Sequence, residues 1–200
     1  MMKRALIVFQ KNPEPGHVKT RLAKDIGYEK ATEIYIFLLA HTHQQVQKVN
    51  ADIFVYFQGG INENYVVLPR YYLAHQDEGD LGKKMEAAFV EIFNYGYQEV
   101  LIIGSDCYQL DNTIIEDGFR ALADHDLVIG PAEDGGYYLL GMKKFNPFLF
   151  RNMPWSTSSI YKLTSEEANL HGMKVYTLPT LRDIDTIDDL GELKELFDIK

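Results

Sequence analysis

The stretch Leu101-Ile-Ile-Gly-Ser-Asp106-Cys107 is an apolar strand that ends in a carboxylate. A helix is predicted to begin near Asn112, so the segment has the strand, turn and helix order of an open α/β sheet. Ligands of such sheets bind at the carboxyl ends of the parallel strands, which makes Asp106 a candidate site residue. The alternative is an Asx-type turn, in which Ser105 and Asp106 only prepare the helix start.

Apolar runs alternate with helical patterns along the rest of the chain. Strands are predicted at residues 5–9, 52–57, 71–75, 100–104, 127–130 and 137–142, and helices within 31–46, 85–92, 112–122 and from 158 or 159 to near Gly172. This alternation predicts right-handed crossovers and a mostly parallel sheet that is covered on both faces. An antiparallel pair around residues 130–142 is expected as an insertion. We therefore predict a three-layer α/β/α fold, with residues 1–200 as a single domain.

A basic loop follows the first predicted strand, with the sequence Lys11-Asn-Pro-Glu-Pro-Gly16-His-Val-Lys19-Thr20-Arg21-Leu. Two prolines and a glycine fix an irregular loop, while Lys19 brings a point charge and Arg21 a bidentate fork. Together these cations suit a diphosphate. The loop is not a P-loop, because Val18 stands where that motif has glycine before its lysine. The alternative is a solvated basic helix start, although a helix N-terminus disfavours cations unless an anion joins them.

An acidic loop precedes the last predicted helix, with the sequence Leu181-Arg-Asp183-Ile-Asp185-Thr-Ile-Asp-Asp-Leu. The Thr-x-x-Asp pattern at 186–189 predicts a capping box. Asp183 and Asp185 lie before this cap, on the same side of an extended segment. If the fold brings them to Asp106, the three carboxylates would form an oxygen-ligand site for Mg²⁺ or Mn²⁺.

Three more motifs combine glycine or hydroxyl residues with aromatic or acidic side chains. The first motif is Glu-Asp-Gly-Gly-Tyr-Tyr at 133–138. Its two glycines would let a ligand approach the backbone closely, and its tyrosine rings could stack on a sugar or base. The alternative is an ordinary hairpin turn. Gly79-Asp80-Leu81-Gly82 predicts a helix start with Asp80 as its cap. Trp155-Ser156-Thr157 is either a loop that covers an acceptor or a buried Trp beside a cap.

Composition restricts the partners and the location of the protein. A formal net charge of -9 disfavours a nucleic-acid partner. The one cysteine, Cys107, excludes an internal disulfide and has no partnered base, so we expect a packing residue in a reducing compartment. The apolar run 5–9 is too short for a signal peptide, and no run of about 18 apolar residues could cross a bilayer. We expect the cytoplasm.

Six motifs occur here in one order: the basic loop at 11–22, then 79–82, 104–107, 130–139, 155–157 and 183–186. The series resembles the DUF2064 family of glycosyltransferase-like proteins, in the nucleotide-diphospho-sugar transferase superfamily with the GT-A fold, and it covers nearly the whole chain. The basic loop and the terminal Asp-x-Asp-Thr also resemble phospholactate guanylyltransferases. Tyr108 and Ile187 depart from the pattern, since relatives usually have proline there.

The resemblance implies a metal-dependent transferase that uses a nucleotide-activated donor. Its leading reaction would be glycosyl transfer from a nucleoside-diphosphate sugar to a small acceptor. Nucleotidyl transfer from a nucleoside triphosphate to a phosphorylated small molecule is the alternative, and a non-catalytic nucleotide-binding protein is a third possibility.

The resemblance also implies roles for particular side chains. Asp106 would be the principal ligand of Mg²⁺ or Mn²⁺ and Asp185 the second, with Asp183 as a weaker candidate. Asp134 would be the base that deprotonates the acceptor. The remaining candidates are the donor-side residues Lys11, Gly16, Lys19, Thr20, Arg21 and Asp80, and the acceptor-side residues Tyr137 and Trp155.

Overall fold

The computed structural model describes residues 3–65 and 71–199, which form one mixed sheet with helices on both faces. Its strands are β1 (Arg4–Lys11), β2 (Asp52–Gln58), β3 (Tyr71–His75), β4 (Glu99–Ile103), β5 (Leu127–Pro131), β6 (Tyr137–Met142) and β7 (Val175–Thr177). They lie in the order β3-β2-β1-β4-β6-β5-β7. β6 is antiparallel to β4 and β5, whereas the other neighbours are parallel. The predicted fold class and the antiparallel insertion are confirmed.

The helices cover both faces of this sheet. They are α1 (Ala23–Ile26), α2 (Tyr28–Val46), α3 (Leu81–Asn94), α4 (Asn112–Ala121), α5 (Ile160–Leu170) and α6 (Leu193–Leu196), with short 3₁₀ helices at Glu63–Tyr65, Pro147–Leu149 and Ile187–Leu190. In β1, Ala5 and Ile7 pack in the cluster that contains Phe89 of α3, whereas Leu6 and Val8 pack in the cluster that contains Phe119 of α4. Burial on both faces explains why the strands are continuous apolar runs. Among the described residues, no helix has the length and apolarity needed to cross a membrane.

Local features of the fold differ from the prediction. β7 was missed because it has only three residues, two of them exposed. The cap of α4 is Asp111 and not Asn112, since the Asp111 carboxylate accepts a hydrogen bond of 2.9 Å from the backbone N–H of Ile114. β1 continues two residues beyond Phe9, so that Gln10 and Lys11 still pair with β2. The basic loop therefore starts directly at the carboxyl edge of the sheet.

The amino edge of the sheet carries a separate polar network. Arg4, at the start of β1, donates from Nε to Oε2 of Glu99, at the start of β4, at 2.8 Å. Glu99 is only 2% exposed, so the ion pair lies largely inside the protein. Glu116 of α4 joins the network through Arg4 Nη1 at 3.4 Å and the backbone N–H of Asn50 at 2.7 Å. The network ties two strands and a helix together at the edge opposite the carboxyl ends of β1 and β4.

Candidate functional site

A cavity of about 630 Å³ opens at the carboxyl edge of the sheet, where β1 and β4 end and the β5–β6 hairpin turns. Ten of the predicted site residues line it: Lys11, Lys19, Thr20, Arg21, Asp106, Asp134, Tyr137, Trp155, Asp183 and Asp185. Gly16 and Asp80 are the predicted site residues that do not. Gly16 shapes the basic loop, where its φ of 86° lies in the region that favours glycine.

The ammonium group of Lys19 lies between two of these carboxylates. Its Nζ is 2.9 Å from Oδ1 of Asp106 and 3.4 Å from Oδ1 of Asp185, and its side chain is 3% exposed. Burial by itself lowers the pKa of Lys19, but the charges of Asp106 and Asp185 outweigh this effect and raise the pKa above its ordinary value. Lys19 is therefore a buried, fully charged cation. The sequence predicted that it would face phosphate; in the structure it bridges the carboxylates.

Arg21 has a different environment from Lys19. Its Nη1 lies 3.5 Å from Oδ2 of Asp185, but its side chain is 71% exposed. A long contact of an exposed side chain holds the guanidinium only weakly. Arg21 is thus available to an anion that enters the cavity.

A backbone hydrogen bond brings the acidic loop to the end of β4. The N–H of Ile184 donates to the carbonyl oxygen of Asp106 at 3.0 Å, which places the flanking Asp183 and Asp185 beside Asp106. The predicted capping box is present as well, because Asp189 accepts hydrogen bonds from the backbone N–H and the hydroxyl of Thr186. These contacts bring the three carboxylates together at the carboxyl end of β4.

The carboxyl group of Asp183 has a raised pKa. Burial, and next the charge of Asp106, raise its pKa to about 7, although Lys19 acts in the opposite direction. Asp183 is therefore partly protonated at neutral pH. Such a group suits proton transfer better than it suits the coordination of a metal ion, which needs the ionised form.

Asp106 and Asp185 are the residues that could hold a divalent cation arriving with phosphate. Asp106 and Asp185 converge on one cation-sized position, as their shared contact with the Lys19 ammonium demonstrates. Within residues 3–65 and 71–199, no cluster of three or more acidic, His or Cys side chains has the geometry to hold a metal ion. Two carboxylates leave most of an octahedral shell to phosphate and water oxygens, which is how Mg²⁺ is commonly held together with nucleotides.

The motif at 133–138 forms the tight turn between β5 and β6, and this turn carries Asp134 into the cavity. Oδ1 of Asp134 accepts a hydrogen bond of 2.8 Å from the N–H of Gly136, which fixes the carboxylate. Gly135 has a φ of 87°, and a Cβ added there would overlap the backbone of Ser158. The carbonyl of Gly135 accepts from the N–H of Tyr161 at 3.1 Å, so the turn is fastened to the start of α5.

Trp155 and Tyr137 form an aromatic wall of the cavity. Their rings meet edge to face with centroids 6.4 Å apart. The indole packs against Gly82 of α3, where a Cβ would overlap it, and its Nε1 donates to the carbonyl of Phe150 at 3.3 Å. Asp80 is the cap of the same helix, since its Oδ1 accepts from the N–H of Lys83 at 2.9 Å. Its carboxylate is thus engaged in helix capping, outside the cavity lining.

Sequence reasoning missed two residues that shape the cavity. The hydroxyl of Tyr35, on α2, accepts a hydrogen bond from the N–H of Lys11 at 2.9 Å and lies 3.2 Å from Oγ of Ser105. Gln76, after β3, donates from Nε2 to the carbonyls of Gln10 at 3.2 Å and Tyr56 at 3.0 Å. A tyrosine among the apolar positions of α2 was a weak signal for the first, and no motif marks the second.

Cys107, beside Asp106, has the packing role expected of it. It is 4% exposed and belongs to the core cluster between the sheet and α4. Burial raises the pKa of its thiol to about 12, so the nucleophilic thiolate is scarce at neutral pH.

Comparisons with known proteins agree with this architecture. The profile of the DUF2064 family, described as an uncharacterized protein conserved in bacteria, matches residues 39–157. A protein from Desulfovibrio desulfuricans G20, provisionally named a nucleotide-diphospho-sugar transferase, has a crystal structure that superposes on this chain with a TM-score of 0.91. The two sequences are 32% identical, and the match covers 98% of this chain and 88% of the Desulfovibrio chain.

Two further proteins are less similar to this chain than the Desulfovibrio protein, one matched by sequence and the other by structure. A 2-phospho-L-lactate guanylyltransferase of Methanocaldococcus sp. (strain FS406-22) is 25% identical over 179 residues, which are 88% of this chain and 75% of that protein. The structure of Rv0371c of Mycobacterium tuberculosis H37Rv, in a complex with manganese, superposes with a TM-score of 0.60. Its sequence is 14% identical to this chain, and the match covers 97% of this chain and 98% of Rv0371c. The expected enzyme class, a transferase, is confirmed by the relatives.

Proposed function

The chain belongs to the DUF2064 family, and from this premise and the geometry of the cavity we propose that it is a metal-dependent glycosyltransferase. The donor is a nucleoside-diphosphate sugar and the acceptor is a small molecule that carries a hydroxyl or an amine. The observation that carries the proposal is the unequal charge of the two walls that flank Asp106.

One wall is cationic. β1 lies beside β4 in the sheet, and the loop after β1 contributes Lys19 and Arg21 to the cavity, with Lys11 and His17 nearby. The backbone around Lys11 is held to the end of β4 by the Tyr35 hydroxyl. Cations on a fixed loop suit the diphosphate of an activated donor. We assign the donor to this wall, with Thr20 as a further phosphate contact and Gly16 as the residue that bends the loop.

The other wall lacks cations. β6 and β5 lie on the opposite side of β4, and their hairpin contributes Asp134 and Tyr137. Trp155 and residues 156–158 add an aromatic ring and three hydroxyls. No Lys or Arg side chain on this side lines the cavity in the described part of the chain. A phosphorylated acceptor would meet the carboxylate of Asp134 there without a compensating charge, whereas a hydroxyl-rich or amine acceptor suits it.

These residues have distinct roles in the transfer. Asp106 and Asp185 would hold Mg²⁺ or Mn²⁺, which when bound neutralises the charge that develops on the leaving diphosphate. Arg21 grips the same diphosphate by a charged hydrogen bond. Asp134, oriented by the Gly136 N–H, takes the proton of the acceptor hydroxyl. Asp183, whose pKa is about 7, can accept a proton from Asp134 or from solvent in the same cavity.

Nucleotidyl transfer is the second candidate, because a specific observation favours it. The guanylyltransferase that is 25% identical to this chain covers 88% of it. In that reaction the cationic wall holds a triphosphate and pyrophosphate leaves. The two reactions share the donor wall and differ in the acceptor, and the absence of cations from the described acceptor wall is what supports glycosyl transfer.

The experiment is a thermal-shift panel of nucleoside triphosphates and nucleotide sugars, each with and without Mn²⁺. A ligand at one hundred times its dissociation constant stabilises the folded state by about 2.7 kcal/mol. We expect Mn²⁺-dependent stabilisation by nucleotide sugars and release of nucleoside diphosphate on addition of a hydroxyl or amine acceptor. Release of pyrophosphate from a triphosphate would establish the second candidate instead. Stabilisation without any turnover would indicate a non-catalytic nucleotide-binding protein.

A further inference from the structure

We propose that the Lys19 ammonium is a resident cation, which occupies the metal position between Asp106 and Asp185 until a metal–nucleotide complex displaces it. The proposal rests on the proposed function, because it takes this pair of carboxylates as the metal ligands. It adds to that function the order in which the metal ion and the nucleotide bind. The metal enters together with the nucleotide and not before it.

The first step of the argument is the position of the charge. Nζ of Lys19 lies 2.9 Å from Asp106 and 3.4 Å from Asp185, and the side chain is almost completely buried. A divalent cation bound by the same two oxygens would lie within a few ångströms of this ammonium. Two positive charges at such a distance repel strongly when water does not screen them. The carboxylates can therefore hold the ammonium or the metal ion, but not both.

The second step is the conformation of the loop. Lys19 has a φ of 46°, in the left-handed region that non-glycine residues seldom adopt. This bend turns Lys19 inward while its neighbours Thr20 and Arg21 remain exposed. The contacts with Asp106 and Asp185 compensate for the unfavourable backbone conformation. A ligand that competes for these carboxylates therefore also releases the loop.

The third step is the charge balance of the exchange. Asp106 and Asp185 carry two negative charges, of which Lys19 already neutralises one. Free Mg²⁺ dehydrates reluctantly and gains little from such a pair. A metal ion that arrives on a diphosphate brings oxygen ligands of its own, and the same diphosphate offers the displaced ammonium a new partner. The cation that leaves the carboxylates thus becomes a contact of the donor, as the sequence predicted for Lys19.

The test measures Mn²⁺ binding to the nucleotide-free protein by electron paramagnetic resonance. Lys19→Met removes the resident cation, and Arg21→Met is the matched control. Arg21 also contacts Asp185, at 3.5 Å, but it is exposed and does not lie between the carboxylates. We expect Mn²⁺ affinity to increase at least tenfold in Lys19→Met and less than threefold in Arg21→Met. Equal changes in both variants, or no increase in Lys19→Met, would overturn the proposal.

A second measurement uses the parent protein, in case removal of the buried charge prevents folding. The Hε–Cε NMR signal of Lys19, assigned by its absence in Lys19→Arg, reports the surroundings of the ammonium. We expect magnesium pyrophosphate to shift this signal and NaCl at equal ionic strength to leave it in place. A signal that does not move with magnesium pyrophosphate contradicts displacement.

The outcomes also separate this proposal from the proposed function. If Lys19→Met gains Mn²⁺ affinity but no nucleotide stabilises the parent, the resident cation stands and the transferase reaction fails. If nucleotide sugars bind with Mn²⁺ and neither measurement responds at Lys19, the reaction stands and only the order of binding is wrong.

Discussion

Burial and neighbouring charges act differently on three titratable side chains of this protein, Lys19, Asp183 and His43. Lys19 stays charged because two carboxylates surround its ammonium. Burial, and next the charge of Asp106, raise the pKa of Asp183 to about 7. His43 donates from Nε2 to Oε1 of Gln10 at 2.8 Å, and burial lowers its pKa to about 4. Burial thus suppresses the charge of His43, whereas the neighbouring carboxylates preserve the charge of Lys19 and add to the effect of burial on Asp183.

Substitution of Asp106 by asparagine should abolish the metal-dependent binding of nucleotide and leave the fold intact. The side chain is 47% exposed, so it contributes little to the core, while its charge is needed to hold the ion. Thermal shifts with nucleotide sugars and Mn²⁺ measure the effect. Asp111→Asn is the control, because asparagine still caps α4 and one charge is lost outside the cavity lining. Equal Mn²⁺-dependent shifts in Asp106→Asn and the parent would refute the assignment.

Replacement of Arg21 by alanine should weaken nucleotide binding by roughly 1.5–3 kcal/mol, the scale of a hydrogen bond to a charged group. The stability of the unliganded protein should change little, since the side chain is 71% exposed. Isothermal titration of one nucleotide at fixed Mn²⁺ measures the change. Lys24→Ala removes a neighbouring exposed charge from α1 and should leave the affinity unaltered. If the two variants bind alike, Arg21 does not contact the phosphates.

His43 predicts a pH dependence of stability. Between about pH 6.5 and pH 4 the unfolded chain binds a proton that the folded chain excludes, so the free energy of unfolding falls as the pH falls through this window. The loss should reach about 2 kcal/mol at pH 5, at about 1.4 kcal/mol per pKa unit. Urea unfolding of the parent and of His43→Gln isolates this contribution, since Asp183, whose raised pKa acts with the opposite sign, is present in both. If the difference in the free energy of unfolding between the two proteins is constant from pH 7.5 to pH 5, His43 does not contribute the predicted pH dependence.

At the level of elements, the carboxyl edge is assembled from loops of several strands. The β5–β6 turn is fastened to α5 by the hydrogen bond from Tyr161 to Gly135, and the acidic loop is fastened to β4 by the bond from Ile184 to Asp106. Backbone groups make both connections. The positions of Asp134, Asp183 and Asp185 therefore depend on main-chain geometry more than on the packing of neighbouring side chains.

Gly135→Ala should destabilise the protein more than Gly16→Ala. Both glycines have φ values near 90°, so alanine is strained at each by about 1–2 kcal/mol. Only at Gly135 would the added Cβ overlap another segment, the backbone of Ser158; around Gly16 there is open space. We expect an additional loss of about 1–3 kcal/mol for Gly135→Ala in urea unfolding. Equal losses would mean that the turn shifts away from α5 without cost.

The strands and the chemistry of the site differ in how far the sequence predicts them. Strands buried on both faces are continuous apolar runs, so β1 to β6 could be placed within two residues of their ends. The short and partly exposed β7 has no such run. The carboxylates could be recognised as candidates, but the bridge from Lys19 to Asp185 joins residues 166 positions apart, and no spacing reveals such a contact. No sequence motif marks Gln76 as a residue that shapes the cavity.

The whole molecule has its ionic network and its cavity at opposite edges of one sheet. Arg4, Glu99 and Glu116 form the network where β1 and β4 begin, and the cavity lies where the same two strands end. A β-strand rises about 3.3 Å per residue, so five to eight residues keep the two sites well apart. Changes at one edge should therefore add to changes at the other.

Arg4→Met should lower the free energy of unfolding by roughly 3–5 kcal/mol, because it leaves the buried carboxylate of Glu99 without its partner. The folded protein should retain the nucleotide affinity of the parent. Urea unfolding gives the stability, and titration with nucleotide at a temperature where the variant is folded gives the affinity. Arg120→Met, which removes an exposed i,i+3 pair with Asp117, is a control that should cost less than about 1 kcal/mol. A changed affinity in Arg4→Met would mean that the two edges are coupled.

The ionic network at the amino edge also bears on how variation among relatives should be interpreted. A relative without the Arg4–Glu99 pair should differ from this protein in thermal stability, and we expect that difference to carry no information about its substrate. If Asp134 and Trp155 face the acceptor as proposed, a relative that differs at either position should use other acceptors even when the two proteins melt at the same temperature. Substrate assignments carried from one DUF2064 protein to another should therefore weigh the residues at the carboxyl edge above the overall identity of the two chains.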